Sequence, residues 1–261
     1  MRRTIFIVLL SLSGAGASPA LAAPFVYREL VLPHGEVVVD FGLGVGHVPD
    51  DAVPGTPTNG LGLNLEIVAG IAPGLELGLR TGFRLDEGGQ RTQADGYGRP
   101  FDTETYGTQF DRVANPELHL RWLAARGPNA ELGLQLDFYL PTENGSRFGM
   151  MFALPIVLRG GPVRLDTGIY VPVIFYDPTL TIISVPLHVW IQATPRLWLG
   201  PLFGVRVIES GGSHTEAPMG FGIGTALDRA VDLRAWFLFP DVSHNGTTRV
   251  YGGGVALQLR F

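Results

Sequence analysis

The sequence predicts an all-β chain: a transmembrane, antiparallel, up-and-down β-barrel of about twelve strands. Three observations lead there. Apolar and polar residues alternate with period two almost everywhere after residue 35, and the connections between these segments are by turns short and long. No run after residue 23 approaches the roughly 18 uninterrupted apolar residues of a membrane helix, although 46% of the chain is hydrophobic and its mean hydropathy is +0.22. The apolarity is dispersed through strands.

Taken in order, the chain begins with Arg2 and Arg3, an apolar run from Ile5 to Leu10, and Ala20-Leu21-Ala22, a small-x-small cleavage site. This is the pattern of an export signal, and the run is too short to anchor. The expected organisation is therefore a signal peptide over 1–22 and one barrel domain over 23–261.

The clearest strand is Leu75-Glu76-Leu77-Gly78-Leu79-Arg80-Thr81-Gly82-Phe83-Arg84-Leu85, whose two faces are Leu, Leu, Leu, Thr, Phe, Leu and Glu, Gly, Arg, Gly, Arg. With it, twelve segments alternate: about 35 to 47, 61 to 72, 75 to 85, 110 to 124, 130 to 140, 148 to 159, 163 to 175, 179 to 192, 196 to 207, 216 to 228, 231 to 240 and 249 to 261. Most exceed the five or six residues common in soluble sheets and suit a tilted membrane crossing. Tight turns fall at Ala72-Pro73-Gly74, Ala125 to Asn129, Gly160-Gly161-Pro162, Thr194-Pro195-Arg196 and Asp228-Arg229-Ala230. Polar segments lie between them, near 48 to 60, 86 to 109, 141 to 147, 176 to 178, 208 to 215 and 241 to 248. Short periplasmic turns and longer external loops give that order and an even strand count. The segment 86 to 109 is expected to be a solvated external loop, with narrowing of the barrel mouth as the alternative.

Composition excludes several functions. Cysteine is absent, which removes disulfides, thiol catalysis and a lipoprotein anchor together. All 19 cationic residues are arginine, and the formal charge of -5 becomes more negative once Arg2 and Arg3 leave, so nucleic acid is not an expected partner. Neither cofactor nor metal is called for. Gly42-Leu43-Gly44-Val45-Gly46 lacks the spacing and following helix of a nucleotide loop, and Asn144-Gly145 and Asn245-Gly246 read as turn tips.

The final strand places Tyr251, Val255, Leu257, Leu259 and Phe261 on one face and stops on the aromatic. In this ending, the signal and the strand rhythm, the chain resembles the bacterial outer-membrane β-barrel protein superfamily, whose terminal Phe is read by the barrel-assembly machinery. More faintly, the rhythm is similar to that of outer-membrane transporters associated with aromatic-degradation pathways. The resemblance implies the bacterial outer membrane as location, and outer-membrane lipid and the export and barrel-assembly machinery as partners.

Twelve apolar faces supply more surface than one barrel interior can hold, so they are expected to face lipid, which leaves the alternate face inside. That face is rich in glycine, which weakens strands and calls for a crowded, curved interior. By parity it also carries Glu66, Arg80, Arg84, Glu117, His119, Arg121, Asp137, Tyr139, Arg164, Asp166, Tyr170, His188, Trp190, Arg206 and Arg234, the expected pore-lining residues. Interleaved charges suit either a water-filled selective pore or a paired network that closes it. The expected function is a channel or transporter for passive passage of small solutes. A non-conducting structural or loop-presenting barrel and an outer-membrane hydrolase are the alternatives. No catalytic residues are assigned: Ser184 and His188, four apart on one strand, lie about 13 Å from each other, too far to share a proton.

Overall fold

The computed structural model describes residues 23–47, 59–84, 116–141, 147–175, 177–243, 249 and 251–261. The expected signal 1–22, the segment 86–109, the first residues of the predicted strand 110 to 124 and both Asn-Gly tips lie outside these residues.

The alternating segments form strands β1 (Val37–His47), β2 (Asn59–Ala72), β3 (Leu75–Arg84), β4 (Glu117–Arg126), β5 (Ala130–Tyr139), β6 (Gly149–Gly160) and β7 (Val163–Ile174). They continue as β8 (Leu180–Gln192), β9 (Leu197–Glu209), β10 (Ser213–Glu216), β11 (Met219–Ala226), β12 (Val231–Phe239) and β13 (Tyr251–Arg260). Each pairs antiparallel with its neighbour, β1 pairs with β13, and β8–β9 pairing joins the two ends of the sheet into a ring.

Thirteen segments make twelve staves. β10 faces β9 from Ser213↔Glu209 to Glu216↔Arg206, and β11 continues from Met219↔Phe203 in the same register. Between them stands Pro218, which has no N–H to give the ladder, although its carbonyl still accepts from Gly204 N at 3.1 Å. The strand predicted over 216 to 228 therefore begins earlier, at Ser213, and is broken once.

The apolar face points outward. Phe41, Val45, Trp122, Phe152, Val205 and Phe221 are all about half exposed, and similar side chains cover the outer surface of every stave. Such a continuous belt has no place in water and is what a bilayer requires. The described turns at 72–75, 126–130, 160–163, 192–197 and 226–231 lie at one end with the start of β1 and the end of β13, which marks that end as periplasmic.

The inner glycines have a specific reason. A Cβ at Gly224 would collide with the Trp198 indole, one at Gly222 with Trp190, one at Gly254 with Trp236 and one at Gly78 with the His119 ring. Large rings lie flat over bare backbone, so a narrow ring of strands accommodates three indoles. We predict that Gly224→Val, which overpacks against the fully buried Trp198, lowers stability by about 1–3 kcal/mol, read as an earlier midpoint in urea unfolding of the refolded protein.

Candidate functional site

The barrel interior divides into two arcs. From β12 through β13 and β1 to β5 its side chains are mainly charged: Asp232, Asp40, Glu76, Arg80, Glu117 and Asp137 are all buried. From β6 to β9 the middle of the wall is mainly apolar, with Ser184 and His188 of β8 as its polar members. Met151, Ala153 and Val157, then Ile174, Ile182 and Leu202, face inward and are also buried. Charge returns on this side only near the strand ends, with Arg159, Arg164, Asp166 and Arg206.

Register explains the charged arc. Asp40, Glu66, Arg80 and Glu117 are consecutive cross-strand partners around β1, β2, β3 and β4. Arg80 pairs with Glu117, both side chains at 1% exposure, and Arg234 reaches over the small residues of β13 to pair with Asp40. A second line runs through His119, whose Nε2 lies 3.4 Å from Glu76 and whose Nδ1 lies 3.7 Å from Glu66. Arg121 then binds Glu76 and Gln135, each at 2.8 Å, and Gln135 donates to Asp137 at 2.8 Å. Placing charges at this depth is costly, and the network of charge-assisted hydrogen bonds offsets that cost.

The inner aromatics gather on the apolar arc and at its borders with the charged one. Tyr139 packs with Met151 and Ile174, joined by Tyr170 and Leu180. Trp190 donates from Nε1 to Asp166 at 3.0 Å and meets His188 edge-on. Of the residues expected inside, Arg84 is placed by its backbone at the end of β3. The others all project inward, and Arg206 pairs with Glu216 and Arg164 with Asp166. Among the described residues, no group of three or more His, Asp or Glu side chains is placed to hold a metal ion.

The sequence reading placed no strand or site residue in 23–34, and these residues form the main feature of the periplasmic half. After a 3-10 turn over Phe25–Tyr27 the chain runs along the inner wall as a strap and turns into β1 at Gly35, whose φ of +89° suits glycine. It moves around the ring in order. Gly35 N donates to Gly70 O, Leu32 N to Glu76 and Leu30 N to Glu131, the last two at 2.7 Å. Arg159 and Arg164 both donate to the Arg28 carbonyl, and Val26 N donates to Gln192. Phe25 stacks on Trp198 at 4.8 Å and meets Trp190 edge-on. Arg28 crosses the mouth to bind Asp232 through both terminal guanidinium nitrogens, at 2.5 and 2.9 Å.

The wall thus supplies carboxylates for the strap's N–H groups and guanidiniums for its carbonyls, with Val26 and Val31 fully buried between. Gly70 permits the approach, since a Cβ there would strike the Pro33 carbonyl. The signal for this segment was its lack of period two combined with Phe25, Val26 and Val31, apolar side chains outside any strand. Between strap and charged arc remains a chamber of about 240 Å³, bordered by Arg28, Arg121, Arg234, Arg260, Glu66 and His119.

A closed twelve-stave antiparallel ring with a lipid-facing exterior and a charged interior has the architecture of bacterial outer-membrane β-barrels. Among solved structures, the chain is similar to the COG4313 outer membrane channel from Pseudomonas putida F1, with a TM-score of 0.63 at 10% identity over 95% of this chain and 100% of the other. It is also similar to the KdgM porin, with a TM-score of 0.56 at 7% identity over 86% of this chain and 99% of that one. The NanC porin gives a TM-score of 0.55 at 7% identity, over 85% and 98%. At these identities the likeness establishes the outer-membrane barrel fold, and does not extend to an aromatic-degradation association. No protein-family model matches the chain, and no curated protein matches it by sequence.

Proposed function

We propose that this protein is a non-enzymatic outer-membrane channel for passive passage of small solutes, with the N-terminal strap seated across its periplasmic mouth. The observation that carries this reading is the charged inner arc. Asp40, Arg80, Glu117, Asp137 and Asp232 are buried at membrane depth, where ionisable groups are expensive and mark a solute or ion path. A barrel that only stiffened the membrane would be better served by an apolar filling. The three porin and channel structures of the same fold support the reading. Outer-membrane lipid, the export and barrel-assembly machinery that would read Phe261, and a small solute are the partners it entails.

The test is single-channel current from the refolded mature protein in a planar bilayer, with a salt gradient across it. We expect a small, steady conductance, limited by the seated strap, and a definite reversal potential set by the mixed charges of the arc. A silent bilayer from protein shown to be folded would overturn the channel and favour the non-conducting barrel.

A further inference from the structure

A second, smaller space adjoins the charged chamber. It measures about 50 Å³ and is lined by Trp190, Trp198, Trp236, Leu202 and Ile223, with Phe25 and Arg234 shared between it and the chamber. Phe25 borders this space: it stacks on Trp198, and the guanidiniums of Arg164 and Arg28 sit 5.1 and 5.6 Å from its ring centre. A side chain of the strap thus lies at the slot.

The boundary between the two spaces has a polar irregularity. Arg234 Nε and Trp236 Nε1 are both buried, and among the described residues neither has a hydrogen-bond partner. The two residues are neighbours on the inner face of β12. Buried donors are rarely left unmatched, because they forfeit their bonds to water. Both groups are donors on residues that border the slot. The guanidinium of Arg234 is bonded at one terminal nitrogen to Asp40, so the unmatched donors of this junction are its Nε and Trp236 Nε1.

We infer that the junction is a binding site for an anionic amphiphile, a carboxylate bearing an unbranched apolar chain. Its head accepts from Arg234 Nε and Trp236 Nε1, and its chain takes the place of Phe25 among the indoles of Trp190, Trp198 and Trp236. Two matched requirements select this class. A purely apolar solute leaves the donors unmatched, and a small hydrophilic anion leaves the indole slot to Phe25. Because chain and Phe25 compete for one space, binding also draws the strap's first turn off the wall. The inference deepens the channel reading by naming a solute class for it, but the site is testable without any ion flow.

The protein reports on the site itself, since three of its four tryptophans line the slot and the fourth, Trp122, faces lipid. In the Trp122→Phe background, mature protein in phosphatidylcholine nanodiscs is titrated with octanoate, octanol and acetate while indole emission is followed. Octanoate should give a saturable shift; octanol, which enters the bilayer more readily than the charged octanoate, and acetate, which has no chain, should give little. Trp236→Phe keeps the ring over Gly254 and removes the donor, and should weaken octanoate binding roughly three- to tenfold. Phe25→Ala should strengthen it, a gain that loss of structural packing would not produce. Equal responses to octanol and octanoate, or no saturable response, would overturn the site. A silent bilayer with intact octanoate binding would instead remove the channel and leave the site standing.

Discussion

Deletion of residues 24–34 should leave a folded barrel whose single-channel conductance is several-fold higher than that of the protein spanning 23–261. The strap fills the periplasmic half through contacts with β2, β3, β5, β7, β8, β9 and β12, yet it contributes no strand to the ring. Every backbone pairing that closes the barrel survives its removal. The wall groups it would vacate, Glu76, Glu131, Asp232, Arg159 and Arg164, are ionic and would then be hydrated by the water entering the mouth, so the penalty of unpaired buried charge does not arise. Arg28→Ala is the graded form of the same experiment. It removes the two-nitrogen clamp on Asp232 and the guanidinium over Phe25 and Trp198, while Asp232 keeps Arg260 at 3.3 Å. A hydrogen-bonded charge pair of this kind contributes about 1.5–3 kcal/mol, enough to raise the undocked population roughly tenfold or more, seen as intermittent full openings. If the deleted protein, shown to be folded by heat-modifiable gel mobility, conducts no better than the full one, the restriction lies in the packed interior and not at the mouth.

The contrast between strap and strands shows what a sequence of this kind discloses. Period two is imposed twice over, by lipid outside and by the crowded interior, so each strand from Val37 to Arg260 announces itself and its inward face. Leu75 to Arg84 is legible for this reason, and even the displaced start of β10 cost only a few residues. Parity also placed Arg80, Glu117, His119 and Asp137 inside. It could not say which charges meet, because partners depend on the stagger between strands: Arg234 finds Asp40 two strands away only because β13 presents Gly254 and Ala256 between them. The strap obeys neither constraint. Its bonds are made by its backbone to wall side chains, so almost any sequence without strand period would look the same there. Phe25 becomes conspicuous only once Trp190 and Trp198, more than 160 residues away along the chain, are folded around it. For the same reason the glycines were read correctly as a response to crowding, but not as seats for particular rings.

Arg80→Ala should be the most destabilising single substitution in the charged arc, at about 3–5 kcal/mol. Its side chain and that of Glu117 are each 1% exposed, and truncation leaves a carboxylate buried opposite a small apolar group. Glu66, the cross-strand partner of Arg80 on its other side, loses that neighbour as well and keeps His119 Nδ1 at 3.7 Å. The double substitution Arg80→Met with Glu117→Leu removes both charges at nearly constant volume and should recover most of the loss, since a buried pair of this type often does no better than an apolar replacement. Urea unfolding of the two single variants, the double variant and the parent closes a cycle in which the coupling is the measured quantity. Its outcome bears on function as well as stability. A large coupling means that the pair is sealed from water and that the proposed conducting path must pass to one side of it, through the chamber by Arg121 and Arg260. A single-variant cost below about 1 kcal/mol, the level of a solvated ion pair, means that water reaches Glu117 in the folded barrel. Arg80 and Glu117 would then themselves line the path, and neutralising Arg80 should shift the reversal potential toward cation preference.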